Sequence, residues 1–221
     1  MCYILNIHTA TETAIINLVK NGAVCANRVN ANTREHAAFL HVNIRDMLLE
    51  TKTHIGQLQA IGVTAGPGSY TGIRVGLAAA FGLSYALKIP LITYNSLELM
   101  ARSVLAAVND PGGLYAPLID ARRLEVFSAV YDSHMTVLQP PAATVLDTGS
   151  FASWLPSGPV YFSGSGSEKF KKITAMPNAR FCDQDITSAI IAQTAWAKFQ
   201  LAQFEQRPYS NPLYIKDFHT I

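Results

Sequence analysis

Charge is scarce in this chain. Of its 221 residues 14% are Asp, Glu, Lys or Arg, and the 17 basic and 15 acidic side chains leave a net charge of +2. So even a balance excludes a domain that binds nucleic acid by itself through a broad cationic surface. Basic residues gather only at Arg122-Arg123 and at Lys169 with Lys171-Lys172, runs short enough to be a solvated face. Cysteine is scarce too. Cys2, Cys25 and Cys182 are far apart and form no Cys-x-x-Cys pair, which excludes a disulfide framework or zinc knuckle and points to reduced thiols in the cytoplasm. Long hydrophobic runs are missing. The longest uncharged apolar segment, Val75 to Leu87, falls short of the ~20 residues that span a bilayer. The N-terminus enters a strand pattern at once, without the basic region and cleavage site of a signal peptide. Histidines at metal-binding spacing are missing as well: His36 and His41 are five apart, about 140° around a helix, and cannot share one ligand face. The expectation is a cytoplasmic protein with no membrane contact and no metal site.

What is present is apolar. The chain is 49% hydrophobic, enough for one large core or two small ones, and the low charge suggests that another chain covers part of its surface. The most informative stretch is Gly66-Pro67-Gly68-Ser69-Tyr70-Thr71-Gly72-Ile73-Arg74-Val75-Gly76-Leu77. A β-branched run, Ala60 to Ala65, precedes it and an apolar segment follows to Leu87, so it reads as strand, tight turn and helix start. Such a turn presents free backbone N–H groups. It suits either an anion or the close approach of another backbone. It is no Walker A loop, because no lysine precedes a Ser or Thr at its end. It is no nucleophile elbow either, since Gly68-Ser69-Tyr70-Thr71-Gly72 has the wrong offset. Ser69 or Thr71 is expected to cap the helix.

Strand patterns at Tyr3–Thr9, Thr13–Val19 and Ala23–Val29 are followed by a helix at 34–49, the strand Ala60–Ala65, a helix Ile73–Leu87, a strand Leu91–Tyr94 and a helix Ser96–Val108. The second half repeats the order loosely. Strands are expected at Leu114–Asp120, Glu125–Asp132 and Met135–Leu138, a short helix at Gly149–Leu155, a strand at Val160–Ser163, a helix at Ser167–Ile173, a strand at Arg180–Cys182 and a final helix at Thr187–Phe204. Asp110-Pro111-Gly112-Gly113 is the expected linker, dividing the chain into lobes 1–109 and 110–221. A duplicated β-β-β-α-β-α-β-α unit is the α/β layout of the two-lobed actin-like fold, shared by sugar kinases and the Hsp70 ATPase; fold alone does not assign activity.

Residues Gly66 to Leu77 resemble the signature of the TsaB (YeaZ) family, a family sometimes grouped with glycoproteases. Three other segments agree: Ile4 to Ala10, Asp120 to Phe127 and Pro212 to Lys216. The resemblance implies the same two-lobed fold and a catalytically silent subunit. In that family the partner TsaD transfers threonylcarbamoyl to N6 of adenosine 37 in tRNAs reading codons that begin with A, and the small ATPase TsaE joins the complex. It implies a heterodimer with TsaD, only indirect dealings with tRNA and no cofactor required by the isolated chain, with a homodimer when alone and a nucleotide at a subunit junction left open. The alternative is a small-molecule kinase or ATPase. Against it, His8 stands where the family usually has aspartate, and a neutral imidazole is a poor Mg²⁺ ligand. Neither the His8–Glu12 turn nor the Asp120–Leu124 turn contains glycine. Ser163, Gly164 and Gly166 follow a strand where that superfamily binds adenosine, and are the weak candidates for nucleotide contact.

Two helices point to a protein partner. Gly72, Gly76, Ala80 and Ser84 recur every four residues, a small-residue stripe on a helix that is apolar all round and so must be covered all round. On the preceding helix Ala37, Leu40, Ile44 and Leu48 form one stripe and Phe39, Val42 and Leu49 another. One suits its own sheet; the other suits TsaD, the interface that the resemblance gives to these two helices. The expected interface is therefore Phe39, Val42, Leu49, Gly72, Gly76, Ala80 and Ser84. The loop Gly66, Pro67, Gly68, Ser69, Tyr70, Thr71, Gly72 with Arg74 is its signature element. Arg122 and Arg123 are candidates for contact with tRNA or TsaE.

Overall fold

A computed structural model describes residues 1–32 and 35–205. It contains two five-stranded sheets. The first holds β1 (Tyr3–His8), β2 (Ala14–Lys20), β3 (Ala23–Asn30), β4 (Leu58–Gly66) and β5 (Leu91–Asn95), in the order β3-β2-β1-β4-β5. The second holds β6 (Leu114–Asp120), β7 (Glu125–Tyr131), β8 (Val137–Val145), β9 (Val160–Ser163) and β10 (Ala179–Cys182), in the order β8-β7-β6-β9-β10. In each, the first strand is central, runs antiparallel to the second and parallel to the fourth. Both sheets are thus one topology used twice, and the expected actin-like α/β fold is present.

The helices are α1 (His36–Glu50), α2 (Tyr70–Leu87), α3 (Ser96–Val108), α4 (Ser167–Lys171) and α5 (Ser188–Gln200). The expected helix Gly149–Leu155 is instead a series of turns ending in one 3-10 turn, Leu155–Ser157. Phe151 adopts a left-handed backbone there (φ 62°), which a continuous helix excludes. Strand β8 is longer than expected and carries Pro140 and Pro141, which an edge strand tolerates. The segment Pro212 to Lys216 and the start of the first expected helix lie outside the described residues.

Among the described residues Met1–Ser96 and those from Thr187 onward form one unit, and Leu97–Ile186 the other. This division differs from the expected 1–109 and 110–221. Helix α5 belongs to the first sheet because both its ends are tied there: Asn17 Nδ2 donates to the Ser188 carbonyl (3.0 Å), and Lys198 Nζ donates to the Thr93 carbonyl (2.9 Å). Asp110 is no loose linker. Its carbonyl accepts from Tyr115 Oη (2.7 Å) and its Oδ2 from Tyr161 Oη (2.8 Å), fixing it to the second unit.

The first core lies between one face of its sheet and α1 with α2. Leu5, Ile7, Ile16, Leu18, Ile61 and Val63 meet Leu40, Ile44, Met47, Ile73, Leu77 and Ala80. Alternation along the strands sends Asn6, Asn17 and Tyr94 to the other face. There Tyr94 Oη donates to Asn6 Oδ1 and Asn6 Nδ2 to Asn17 Oδ1, each at 2.7 Å. The second core centres on Phe151, Phe162 and Phe170, whose rings meet edge-on or tilted at 4.8–5.3 Å, a favourable aromatic arrangement.

Candidate functional site

The Gly66–Gly72 loop joins β4 to α2 and closes over the turn that follows β1. Ser69 N donates to the Ala10 carbonyl (2.8 Å), and Thr9 Oγ1 donates to the Gly72 carbonyl (2.7 Å). A Cβ on Gly68 would lie 2.0 Å from the Ala10 carbonyl oxygen, and one on Gly72 would lie 2.0 Å from that of Thr9. A Cβ on Gly76 would lie 2.4 Å from Thr9 Oγ1. Of the two uses open to such a loop, this one is the close approach of backbone to backbone. Ser69 caps α2 as expected, its Oγ accepting from Gly72 N (3.2 Å). Proline follows Gly66 through a cis peptide bond. Arg74 lies over the Tyr70 ring, 4.0 Å from its centroid.

His8 lies fully buried at the end of β1, just before this turn. Its Nδ1 is 2.8 Å from Thr64 Oγ1 and its Nε2 2.8 Å from Thr11 Oγ1. Thr11 Oγ1 also donates to the Thr13 carbonyl (3.3 Å). That leaves Thr11 to accept from Nε2–H and Thr64 to donate to Nδ1, which assigns the Nε2–H tautomer. Burial, with a smaller contribution from His36, pushes the His8 pKa down to about 3. At neutral pH the ring is uncharged and both nitrogens are satisfied by the chain itself.

The corresponding position in the second unit is Asp120, at the end of β6. Its Oδ1 accepts from Lys169 Nζ and from Arg122 N, each at 2.6 Å. Burial raises its pKa, but the hydrogen bonds from Lys169 and Arg122 and the lysine charge outweigh that and hold it below the usual range. The turn beyond it is open. Arg122 (φ 75°) and Arg123 (φ 48°) are exposed in left-handed backbone, a conformation costing roughly 1–2 kcal/mol per non-glycine residue. The Ser163–Gly166 segment docks on the same strand: Gly166 N donates to the Leu118 carbonyl (2.9 Å). A Cβ on Gly164 would fall 2.1 Å from Met100 Cε and 2.6 Å from the Leu118 carbonyl oxygen. Ser163 is 1% exposed. The glycines of this turn, like those of the first loop, accommodate the chain's own atoms, and the side chain of Ser163 does not face outward.

The expected partner stripe on α2 needs correcting. Gly72 and Gly76 are buried against Thr9, and Ala80 is 0% exposed within the first core. Ser84 Oγ donates to the Ile89 carbonyl (2.6 Å), closing the helix end. The small residues let the helix settle close to its own sheet. The outer surface of α2 carries a second small-residue row, Ala78, Gly82 and Ala86, all exposed, beside Tyr85 at 81% exposure. A Cβ on Gly82 would meet no atom of the described residues within 4 Å. On α1 the Leu40, Ile44 and Leu48 stripe is buried as expected, although Ala37 is exposed. Of the other stripe, Val42 (50%) and Leu49 (69%) are exposed and Phe39 is half-buried against the core. The residues missed by sequence reasoning are Thr11 and Thr64 around His8, Lys169 beside Asp120, and Gly82. Only Gly82 left a signal, the i, i+4 row that it shares with Ala78 and Ala86. Among the described residues no three His, Cys, Asp or Glu side chains gather in a way that would hold a metal ion, and no helix is long and apolar enough to cross a membrane.

A family model described as TsaD, tRNA N6-adenosine threonylcarbamoyltransferase, matches residues 23–208. The tRNA threonylcarbamoyladenosine biosynthesis protein TsaB of Bacillus subtilis is 30% identical over 177 residues, 77% of this chain and 74% of that protein. The chain belongs to the TsaB (YeaZ) family. The TsaB protein of Escherichia coli is 34% identical over 128 residues, 58% of this chain and 54% of that relative. The solved structure of YeaZ from Pseudomonas aeruginosa superposes with a TM-score of 0.84 at 22% identity, covering 97% of this chain and all of that one. The duplicated sheets are thus the TsaB-family fold. In this TsaB-family chain the glycine loop that carries the resemblance is the element that clamps α2 onto β1.

Proposed function

We propose that this chain is the scaffold subunit of the complex that adds threonylcarbamoyl to N6 of adenosine 37 in tRNAs reading codons that begin with A. In this reading it performs no chemistry. It pairs with a TsaD-type transferase through the outer surface of α1 and α2 and helps recruit TsaE. The observation that carries the pairing is Gly82 with its surroundings. A mid-helix glycine destabilises a helix by about 1 kcal/mol relative to alanine, and none of the described residues crowds the position. Exposed Val42, Leu49 and Tyr85 on the same helical layer supply the apolar area that a partner helix would cover.

The silence of the chain is supported by the two strand ends that organise a metal ion in actin-like ATPases. Neutral His8 is saturated by two threonines, and Asp120 is engaged by Lys169. The experiment is reconstitution: TsaD, TsaE, threonylcarbamoyl-adenylate and unmodified tRNA, with and without this chain. Modification that requires the chain, together with no magnesium-dependent ATP binding by the chain alone, is the expected result. Tight Mg-ATP binding by the lone chain, with no effect on modification, would instead support the kinase or ATPase reading.

A further inference from the structure

The charge of the second unit is uneven. Residues 97–186 contain seven Lys and Arg and nine Asp and Glu, yet five of the seven cations are Arg122, Arg123, Lys169, Lys171 and Lys172. The fold brings Lys169 to the turn that carries Arg122 and Arg123. Asp120 Oδ1 accepts from both Arg122 N and Lys169 Nζ, so the β6–β7 turn and α4 share a single carboxylate. That carboxylate is used by the lysine and by backbone, leaving the guanidinium groups unneutralised. Lys171 pairs with Glu168 (3.2 Å), whereas Arg122, Arg123 and Lys172 have no ion-pair partner among the described residues. Both arginines also occupy left-handed backbone, where Gly or Asn would be accommodated at less cost. Two costly, exposed and unpaired arginines in succession have no use inside the fold, and such outliers are where an external contact is to be sought.

We infer that this turn is a contact for the phosphate backbone of RNA. The guanidinium fork suits phosphate oxygens, and there is no aromatic side chain from Ala121 to Glu125 on which a base could stack, so the contact is electrostatic and indifferent to sequence. Its strength is that of a few charges. This agrees with a chain of net charge +2 that adds grip to a complex and by itself binds RNA weakly, at low salt. The inference rests on the scaffold reading for the identity of the RNA, the tRNA brought to the transferase.

The test is binding of an unmodified tRNA transcript to the chain–TsaD complex over a series of salt concentrations. Three forms are compared: the native chain, Arg122→Asn/Arg123→Asn, and Arg122→Lys/Arg123→Lys. Asparagine tolerates left-handed backbone, so the first variant keeps the turn while removing both charges. The expected result is affinity about tenfold or more weaker at 0.1 M salt, with the slope of log K against log salt reduced by about 1–2, the loss of two phosphate contacts. The lysine variant keeps most of the slope. Unchanged affinity and slope in the asparagine variant would overturn the inference. So would loss of TsaD co-elution in that variant, which would make the turn a protein contact. Should the native chain not pair with TsaD, the scaffold reading fails separately. The same titration on the lone chain then decides: salt-dependent binding lost in the asparagine variant supports the RNA contact, and no binding by the native chain overturns it.

Discussion

The turns that follow the first strand of each sheet occupy one topological position and are built in opposite ways. The first is roofed and uncharged. The glycine loop lies on the Thr9 and Ala10 carbonyls, and His8 is buried with both ring nitrogens bonded to threonine. The second is open and charged, with Asp120 held by Lys169 and two arginines raised into solvent. In both units a glycine turn after the fourth strand presses on a carbonyl of the first strand or its end, through Gly68 and Gly72 in one and Gly164 and Gly166 in the other. The duplicated topology therefore dictates where backbone meets backbone. It does not dictate the chemistry of the side chains around that contact, and the same strand end holds a neutral imidazole in one unit and a paired carboxylate in the other.

The comparison breaks most readily at the roof. Gly72→Ala sets a methyl 2.0 Å from the backbone oxygen of Thr9; because backbone cannot yield as a side-chain end can, a loss of about 3 kcal/mol or more is expected in urea unfolding. A smaller loss would mean that α2 is not clamped to the first turn. Acid sharpens the contrast next. His8 is neutral when folded, with a pKa of about 3, and titrates near 6.5 when unfolded. The unfolded chain therefore binds the extra proton as pH falls below 6.5. The stability contributed by the neutral ring is complete above that value and is lost progressively down to about 3. Between pH 7 and pH 5 the native chain should lose about 2 kcal/mol more than His8→Asn, measured as the difference in urea midpoints. Equal losses would show that His8 is not buried in its neutral form.

Ser69→Ala removes the cap of α2 and should cost about 1 kcal/mol, read from thermal unfolding. Asp120→Asn gives the smallest effect, under about 1 kcal/mol, because the ion pair with Lys169 leaves 41% of the Asp120 side chain exposed. A cost as large as that of Gly72→Ala would show that the open turn is as structural as the roofed one.

Much of this was legible in the chain. The strands of the first sheet follow from their β-branched runs, and the repeated strand order follows from the two series of patterns. The cap at Ser69 follows from residue type and place. The azimuth of α2 was not legible. Its residues are apolar or small on every side, so a row of small side chains at four-residue spacing occurs twice, once through Gly72, Gly76 and Ala80 and once through Ala78, Gly82 and Ala86. Only the position of Thr9 against the helix decides which row turns inward. The neutral state of His8 was equally hidden, because its partner Thr64 is 56 residues away. The membership of α5 depended on Asn17 meeting Ser188, a contact that no local pattern announces.

The central claim is that the outer surface of α1 and α2, and not the buried stripe, holds the partner. Light scattering after gel filtration tests it directly, with the TsaD of the same organism and either the native chain or Val42→Glu/Leu49→Glu. The account predicts a one-to-one complex for the native chain. For the variant it predicts none, at an unchanged melting temperature, since both side chains already stand in solvent and a charge there is penalised only when a partner buries it. Undiminished pairing by the folded variant, or no complex with the native chain, would contradict it.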